Sequence, residues 1–279
     1  MSYMPMCLTK QNLMMKNRFK YLIKNALCLS ALAVALFSTA CKYNDLVEGT
    51  YPDQLVYLPA AAGGVYNVST VVASGAARYA VDLGAKKLNI PLGVFRSGTT
   101  LSGEVTANLV ANTDTLTKLI ASGAASMTGV EILPAANFTL PASATIASGA
   151  DIVPFNLALD LDYLRNNATK KFAVGITITD GTPSVNPALK TAVVVIDAKI
   201  LKPTANFTTT IAARKVTFAN TSTFGVSYTW NFGDGSPILT TAAPIYTYPN
   251  AGTYTVTLTT TGITGTLDAT TKTMTVTVL

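Results

Sequence analysis

Fourteen carboxylates and no histidine set the limits of the chemistry open to this chain of 279 residues. Without an imidazole, Ser-His-Asp and Cys-His nucleophile activation are excluded, as is every His-ligated zinc or haem site. Carboxylate chemistry remains. Cleaving a glycosidic bond with two acids requires them to flank a cleft, one of them with a raised pKa. Asp160 and Asp162 are the closest acidic pair ahead of residue 203. On a strand they lie side by side on one face, with Leu157, Leu159 and Leu161 on the other, which describes a solvated surface and not a cleft. Asp180-Gly181 reads as a turn. Neither G-x-x-x-x-G-K-[ST] nor G-x-S-x-G nor a cluster with metal-ligand spacing occurs. No catalytic residue, cofactor or metal is expected. The three cysteines are Cys7, Cys28 and Cys41, so the last 238 residues can hold neither a disulfide framework nor a thiolate metal site.

The elements that would position such residues begin after an address. Residues 1–40 carry Lys10, Lys16, Arg18, Lys20 and Lys24 and no acid. An apolar run of twelve residues follows, from Ala26 to Phe37, and then Ser38-Thr39-Ala40-Cys41. A basic start, a short apolar stretch and small residues before a cut describe a secretory signal peptide. Twelve residues fall short of the roughly 20 needed to span a bilayer. Five cations without an acid argue against a buried core helix. Met14 or Met15 is an alternative start. The leader also accounts for the formal charge of +6, because without it 15 basic residues face 14 acidic ones. A nucleic-acid partner is therefore not expected.

Beyond Gly49 the chain has no long helical period. Short alternating runs are separated by Gly, Pro, Asn and Asp at the spacing of β-sandwiches. Strands are expected at 55–58, 64–68, 80–83, 172–178 and 192–197, the last an unbroken apolar run that implies burial on both faces. The best helix is 107–122, where Leu109, Val110, Leu116 and Ile120 fall near helical spacing. Lys202-Pro203-Thr204 looks like a boundary, since proline restricts its neighbour and threonine dominates afterwards. Tyr254, Val256 and Leu258 alternate with Thr253, Thr255, Thr257 and Thr259, and 273–278 repeats the pattern. A half-exposed antiparallel strand has this period, and the branched Cβ of threonine favours it. The fold class is all-β. Two β-sandwich domains stand in tandem, and the domain limits are 1–40 leader, 41–50 linker, 51–201 first domain and 203–279 second.

Several segments carry resemblances. Ser38-Thr39-Ala40-Cys41 resembles a bacterial lipobox, with Ser38 where an aliphatic residue is commoner. The resemblance makes Cys41 the lipidated first residue of the mature protein, and several acyl chains on one residue form a durable anchor. Asn44, Asp45 and Glu48 behind it loosely resemble the surface-export signal of Bacteroidetes lipoproteins. Tyr228-Thr229-Trp230-Asn231-Phe232-Gly233-Asp234-Gly235-Ser236, with Tyr248, Gly252, Tyr254, Val256 and Leu258, closely resembles a PKD domain, an Ig-like sandwich. Asn231 stands where that family usually has aspartate, and Tyr246 where it often has histidine. Some members bind calcium, which the missing carboxylate at Asn231 counts against here. Trp230 and Phe232 are expected in the core, and Gly233-Asp234-Gly235 in a turn of positive φ.

Residues 131–134, 137–140, 159–164 and 174–180, with Val185-Asn186-Pro187 before the strand at 191–197, resemble domain of unknown function 1735, the N-terminal module of Bacteroidetes surface lipoproteins. Asp114-Thr115-Leu116 resembles an O-glycosylation acceptor of Bacteroidetes envelope proteins, with Thr115 as the modified residue. These resemblances imply a non-catalytic protein held by lipid to the outer membrane and exposed at the cell surface. Its implied role is to bind or present glycan in polysaccharide utilisation, with a polysaccharide or a surface glycan-uptake protein as partner. The alternative is a structural or adhesive spacer that makes protein contacts. The glycan reading predicts two or three exposed, coplanar aromatic rings at one end of a sandwich, and the spacer predicts none. Tyr66, Tyr79, Phe95 and Tyr163 in the first domain, and Tyr228, Tyr246 and Tyr248 in the second, are more readily core residues than a platform.

Overall fold

A computed structural model describes residues 54–69, 77–98, 101–181 and 184–279. The expected leader, Cys41 and the linker 41–50 lie outside the described residues. The first eleven strands are β1 (Val56–Tyr57), β2 (Val65–Asn67), β3 (Ala80–Asp82), β4 (Lys87–Arg96), β5 (Val105–Ala111), β6 (Val130–Ile132), β7 (Phe138–Thr139), β8 (Ser143–Ile146), β9 (Ile152–Asp160), β10 (Lys171–Gly181) and β11 (Thr191–Asp197). Two short helices interrupt them, α1 (Thr113–Ala121) and α2 (Leu161–Asn166). One sheet runs β1-β4-β9-β7 with β3 beside β4, and the other runs β2-β11-β10-β5-β8 with β6 beside β10. Most pairs are antiparallel, while β6 on β10 and β2 on β11 are parallel.

Alternation builds the core between these sheets. Leu88, Ile90, Leu92 and Val94 of β4 face inwards with Phe155, Leu157 and Leu159 of β9, against Phe172, Val174, Ile176 and Ile178 of β10. Burial of each such side chain contributes about 1.5–3 kcal/mol. Strand β11 is buried on both faces, as its apolar run implies: Ala192, Val194 and Ile196 join the central core, while Val193 and Val195 pack with Leu116 of α1 and Met127.

The helix expected over 107–122 divides in two. Its first part is β5, with Val105, Ala107 and Leu109 buried at period two, and the helix begins only after Asn112. The Asn112 side chain caps it, accepting a hydrogen bond from Thr115 N at 2.9 Å. Strand neighbours on both sides of β5 override the helical spacing of its leucines. The cap loop presses on β10 at Gly175, where a Cβ would lie 2.2 Å from the Asn112 carbonyl oxygen. Asp180-Gly181 is also not a turn. It ends β10 at a register shift against β5, so the extra residue is absorbed as a bulge.

Arg96 closes one end of this sandwich. It is 3% exposed and has no carboxylate partner among the described residues. Its guanidinium donates to the carbonyls of Ala150 (2.7 Å), Gly103 (2.9 Å), Ala147 (3.3 Å), Ser102 (3.4 Å) and Leu101. Two loops that carry few apolar residues are held by one cation.

After a short 3-10 turn (Ala198–Leu201) come β12 (Phe207–Ala212), β13 (Lys215–Asn220), β14 (Ser227–Asn231), β15 (Ile245–Thr247), β16 (Gly252–Gly262) and β17 (Gly265–Val278). They form two three-stranded sheets, β12-β13-β15 and β14-β16-β17. Phe207, Val216, Phe218, Trp230, Phe232, Tyr248, Val256, Leu258, Val276 and Val278 fill the space between them. Thr253, Thr255 and Thr257 stand on the opposite face, directly across from Thr277, Thr275 and Thr273. The all-β class of tandem sandwiches is thus realised, and the described residues form a single compact unit.

Candidate functional site

The motif at 228–236 does its work inside the second sandwich. Trp230 and Phe232 are both fully buried. Trp230 lies against Phe207 (5.0 Å between ring centroids) and Phe218 (5.2 Å), and its indole Nε1 donates to the Thr241 carbonyl at 3.0 Å. Gly233 (φ +77) and Gly235 (φ +82) take left-handed conformations. At Gly233 a Cβ would also meet the Thr255 carbonyl oxygen at 2.4 Å, so no other residue fits.

Asp234, between these glycines, is spent on the turn. Its carboxylate accepts from Ser236 N at 3.1 Å and from the Tyr246 hydroxyl at 2.6 Å. Burial raises the Asp234 pKa, but these hydrogen bonds outweigh it and the net shift is downwards. Asn231 caps the same turn by accepting from Gly233 N at 2.9 Å. Tyr248 is buried, and its hydroxyl donates to the Phe232 carbonyl at 3.1 Å; burial pushes its phenol upwards. Among the described residues, no group of three or more Asp, Glu, His or Cys could hold a metal ion.

A second cluster lies where the hairpin tip between β16 and β17 meets the first sandwich. Ile263 at the tip packs against the first core. Behind it Asp268 of β17 has a side chain only 1% exposed. It receives a two-pronged contact from Arg165 of α2, at 2.6 Å (Nε) and 3.0 Å (Nη2), and a further one from Lys202. Burial alone would raise the Asp268 pKa, but the hydrogen bonds from Arg165 and Lys202 win and bring it to about 2.

This cluster corrects the reading of Asp160 and Asp162. Strand β9 stops at Asp160, whose side chain caps α2 by accepting from Tyr163 N at 2.9 Å. Asp162 therefore sits on a helix, bridging Lys86 (2.9 Å) and Arg165 (3.1 Å). The alternation of leucine and aspartate suits a strand, but a capping carboxylate followed by a buried Leu161 and Leu164 favours one turn of helix. Lys86 is itself in an uncommon backbone state for its type, φ +54.

A pocket of about 610 Å³ opens beside these groups, lined by Leu83, Lys86, Leu161, Asp162, Arg165 and residues 264–267. Its size is that of a small-molecule site. Lys86 and Arg165 offer donors, Asp162 offers acceptors, Thr266 offers a hydroxyl, and Leu83 and Leu267 supply exposed apolar surface.

The aromatic residues fall into two kinds. Phe232 and Tyr246 are stacked at 4.0 Å and 6°, Tyr248 and Tyr254 at 4.2 Å and 17°, so these rings cover one another. Tyr66, Tyr79 and Tyr163 are half-buried against the first core, and Tyr228 against the second. Tyr57 and Phe95 differ: they neighbour each other across β1 and β4 on the outer side of the sheet, 5.9 Å apart and tilted by 36°. Coplanar exposed rings do not occur among these contacts. Thr115 lies in the first turn of α1, half-buried, with Asp114 exposed beside it. Arg96 and Asp268 went unnoticed in the sequence, because their partners are scattered along the chain.

Comparison with known proteins agrees with the second sandwich. The PKD domain family matches residues 199–278. The PKD1 domains of Vibrio anguillarum Epp and of the Vibrio cholerae metalloprotease PrtV are 38% and 41% identical, cover 93% and 96% of their own lengths and 28% of this chain, and have TM-scores of 0.26. The chain belongs to the PKD family through its C-terminal domain. In that PKD domain Asn231 keeps the turn-capping role with a side-chain oxygen that needs no charge. A second family, described as an N-terminal domain, matches residues 51–185.

Over 74% of the chain there is also similarity to two Bacteroides ovatus structures. One is a candidate carbohydrate-binding protein (13% identity, 64% of its length, TM-score 0.37). The other is a multidomain protein that includes domain of unknown function 1735 (13% identity, 60% of its length, TM-score 0.38). The chain thus spans less than two thirds of those two proteins. No curated protein matches the chain. None of the helices among the described residues is long and apolar enough to cross a membrane.

Proposed function

We propose that this is a non-catalytic, surface-exposed lipoprotein, anchored to the outer membrane through Cys41, that binds or presents glycan for polysaccharide utilisation. The observation that supports the non-catalytic part is the state of two carboxylates, Asp162 lining the junction pocket and Asp268 buried behind it. Asp268 is held near pKa 2 and Asp162 is also lowered, chiefly by the hydrogen bond from Lys86, so both remain ionised at neutral pH. A glycosidase needs one of its two acids protonated, with a raised pKa. Ion-paired carboxylates bind hydroxyls but donate no proton. A pocket lined by donors, acceptors and small apolar surfaces suits a sugar, which presents hydroxyls at its edges and C–H groups on its faces.

The experiment is a glycan array probed with the 42–279 fragment, with hydrolysis products assayed alongside. Retention of a glycan without cleavage is the expected result. Release of shorter sugars would overturn the non-catalytic part, and recovery of only a protein partner would overturn the glycan part. Replacing Cys41 by alanine is expected to move the protein from the membrane fraction to the soluble one, and continued membrane association would refute the anchor.

The coplanar exposed rings expected of a glycan platform are not found among the described aromatic contacts, and a second observation favours the spacer reading. The Arg165–Asp268 ion pair and the packing of Ile263 tie the PKD domain to the first sandwich, as a strut requires.

A further inference from the structure

The outer face of the β1-β4-β9 sheet has a chemistry that its position in the fold does not demand. Strand β4 sends Leu88, Ile90, Leu92, Val94 and Arg96 inwards, so Asn89, Pro91, Gly93 and Phe95 face out. Register places Ala158, Asn156, Pro154 and Ile152 of β9 opposite them in turn, and Tyr57 of β1 beside Phe95. No position of that strip is charged from Tyr57 to Ala158; the first charges are the facing Lys87 and Asp160 at its far end.

Arg96 N bonds to Asp151 O, so the outward pairs 95–152, 93–154 and 91–156 are the ones without mutual hydrogen bonds. Side chains in such pairs approach more closely. Neither proline removes a ladder bond between the two strands. Ile152 lies down across Gly93, its Cδ1 3.2 Å from where a Cβ would stand, with the Phe95 ring at 3.5 Å. The result is an apolar floor of Tyr57, Phe95, Ile152 and Pro154, continued by two amides, Asn156 and Asn89, whose side chains take no hydrogen bond among the described residues.

We propose that this strip binds an extended, uncharged polysaccharide chain laid along β4 and β9. The proposal rests on the glycan reading above, but it concerns a different surface from the junction pocket. From Phe95 to Asn89 the strip is about 20 Å long at roughly 3.3 Å per residue, room for several sugar rings in a row. Sugar C–H faces stack on Tyr57 and Phe95, which no third ring covers among the described residues, and the amides of Asn156 and Asn89 both donate to and accept from hydroxyls. The rings are tilted by 36° and not coplanar as a flat platform would have them, so each would stack on a different unit of the bound chain. The uncharged floor selects against acidic polymers, which would lose hydration there without a cation to replace it.

Affinity electrophoresis of the full chain in non-ionic detergent tests this, with xyloglucan, galactomannan and mixed-linkage β-glucan as neutral polymers and polygalacturonate as the acidic one. Retardation by at least one neutral polymer is expected. Tyr57→Ala and Phe95→Leu should each weaken it about tenfold, the loss of one ring contact. Asn156→Ala, on an exposed side chain that leaves the core intact, should weaken it several-fold, and urea midpoints for each variant separate binding loss from unfolding. If a neutral polymer retards the wild type and Asn156→Ala and Phe95→Leu alike, the strip is overturned while the glycan reading stands. Retardation by polygalacturonate alone also overturns the strip. If none of the four polymers retards the wild type, both the strip and the glycan reading fall.

Discussion

Trp230 and Arg96 sit equally deep in their own halves of the molecule, 0% and 3% exposed, and hold them together in opposite ways. Trp230 works through local grammar: Phe232 is two residues away, the turn glycines follow at once, and its indole bonds to Thr241 eleven positions on. Arg96 works through distance. Its acceptors lie five to seven residues away on one loop and 51 to 54 away on the other. A small domain of fewer than 80 residues has little core to spare, and an aromatic cluster concentrates burial in few side chains. The larger first sandwich closes with a cation that satisfies carbonyls its sheets leave over. A motif is visible where the contacts are sequential, and a staple is invisible where they are not.

The largest effect is expected of Trp230→Ala. It should destabilise the PKD domain by about 3–5 kcal/mol, read as a lower urea midpoint. A loss below 1 kcal/mol would mean that the aromatic cluster does not hold the domain together. Next comes Arg96→Met, which keeps apolar bulk but takes the donor from the Ala150, Ser102 and Gly103 carbonyls and leaves those of Leu101 and Ala147 with a backbone donor alone. About 3 kcal/mol should be lost in the same measurement, and an effect like that of an exposed substitution would remove the contrast.

Asp268→Asn probes the seam between the halves and should lower stability by about 2 kcal/mol at neutral pH. Its pH dependence follows from the folded pKa of about 2 against 3.8 for the free carboxyl. The lowered value means the contribution is present above pH 4 and is lost as pH falls through about 2. The gap between wild type and Asp268→Asn should therefore close on acidification, and a gap constant from pH 6 to pH 2 would refute the ion-pair account. Tyr246→Phe deletes the hydroxyl on Asp234 and should remove about 1 kcal/mol while raising the Asp234 pKa, measurable by NMR titration. The smallest effect has the opposite sign. Ala213 holds φ +52 in the two-residue turn between β12 and β13, so Ala213→Gly should raise stability by about 0.5–1 kcal/mol.

Legibility followed the same division. The strand at 192–197, the buried pair Trp230 and Phe232, and the positive-φ glycines were readable because period and turn chemistry are local properties. The helix limits were not. Leu109 has helical spacing from Leu116, yet β5 is fixed by β8 and β10 on either side. Asp160 and Asp162 misled for a related reason, since one carboxylate became a cap and the other an ion-pair partner once Lys86 and Arg165 were brought near.

The amino-acid sequence alone specifies the all-β class and the PKD motif with its turn, and excludes histidine and thiolate chemistry from the body of the chain. Each follows from residue type and short-range period. Long-range packing buries Asp268 between Arg165 and Lys202. It alone sets Tyr57 beside Phe95 and Ile152 on one uncharged sheet face. Those neighbours lie 38 to 103 positions apart in the chain, and register between strands, which no local pattern encodes, brings them together.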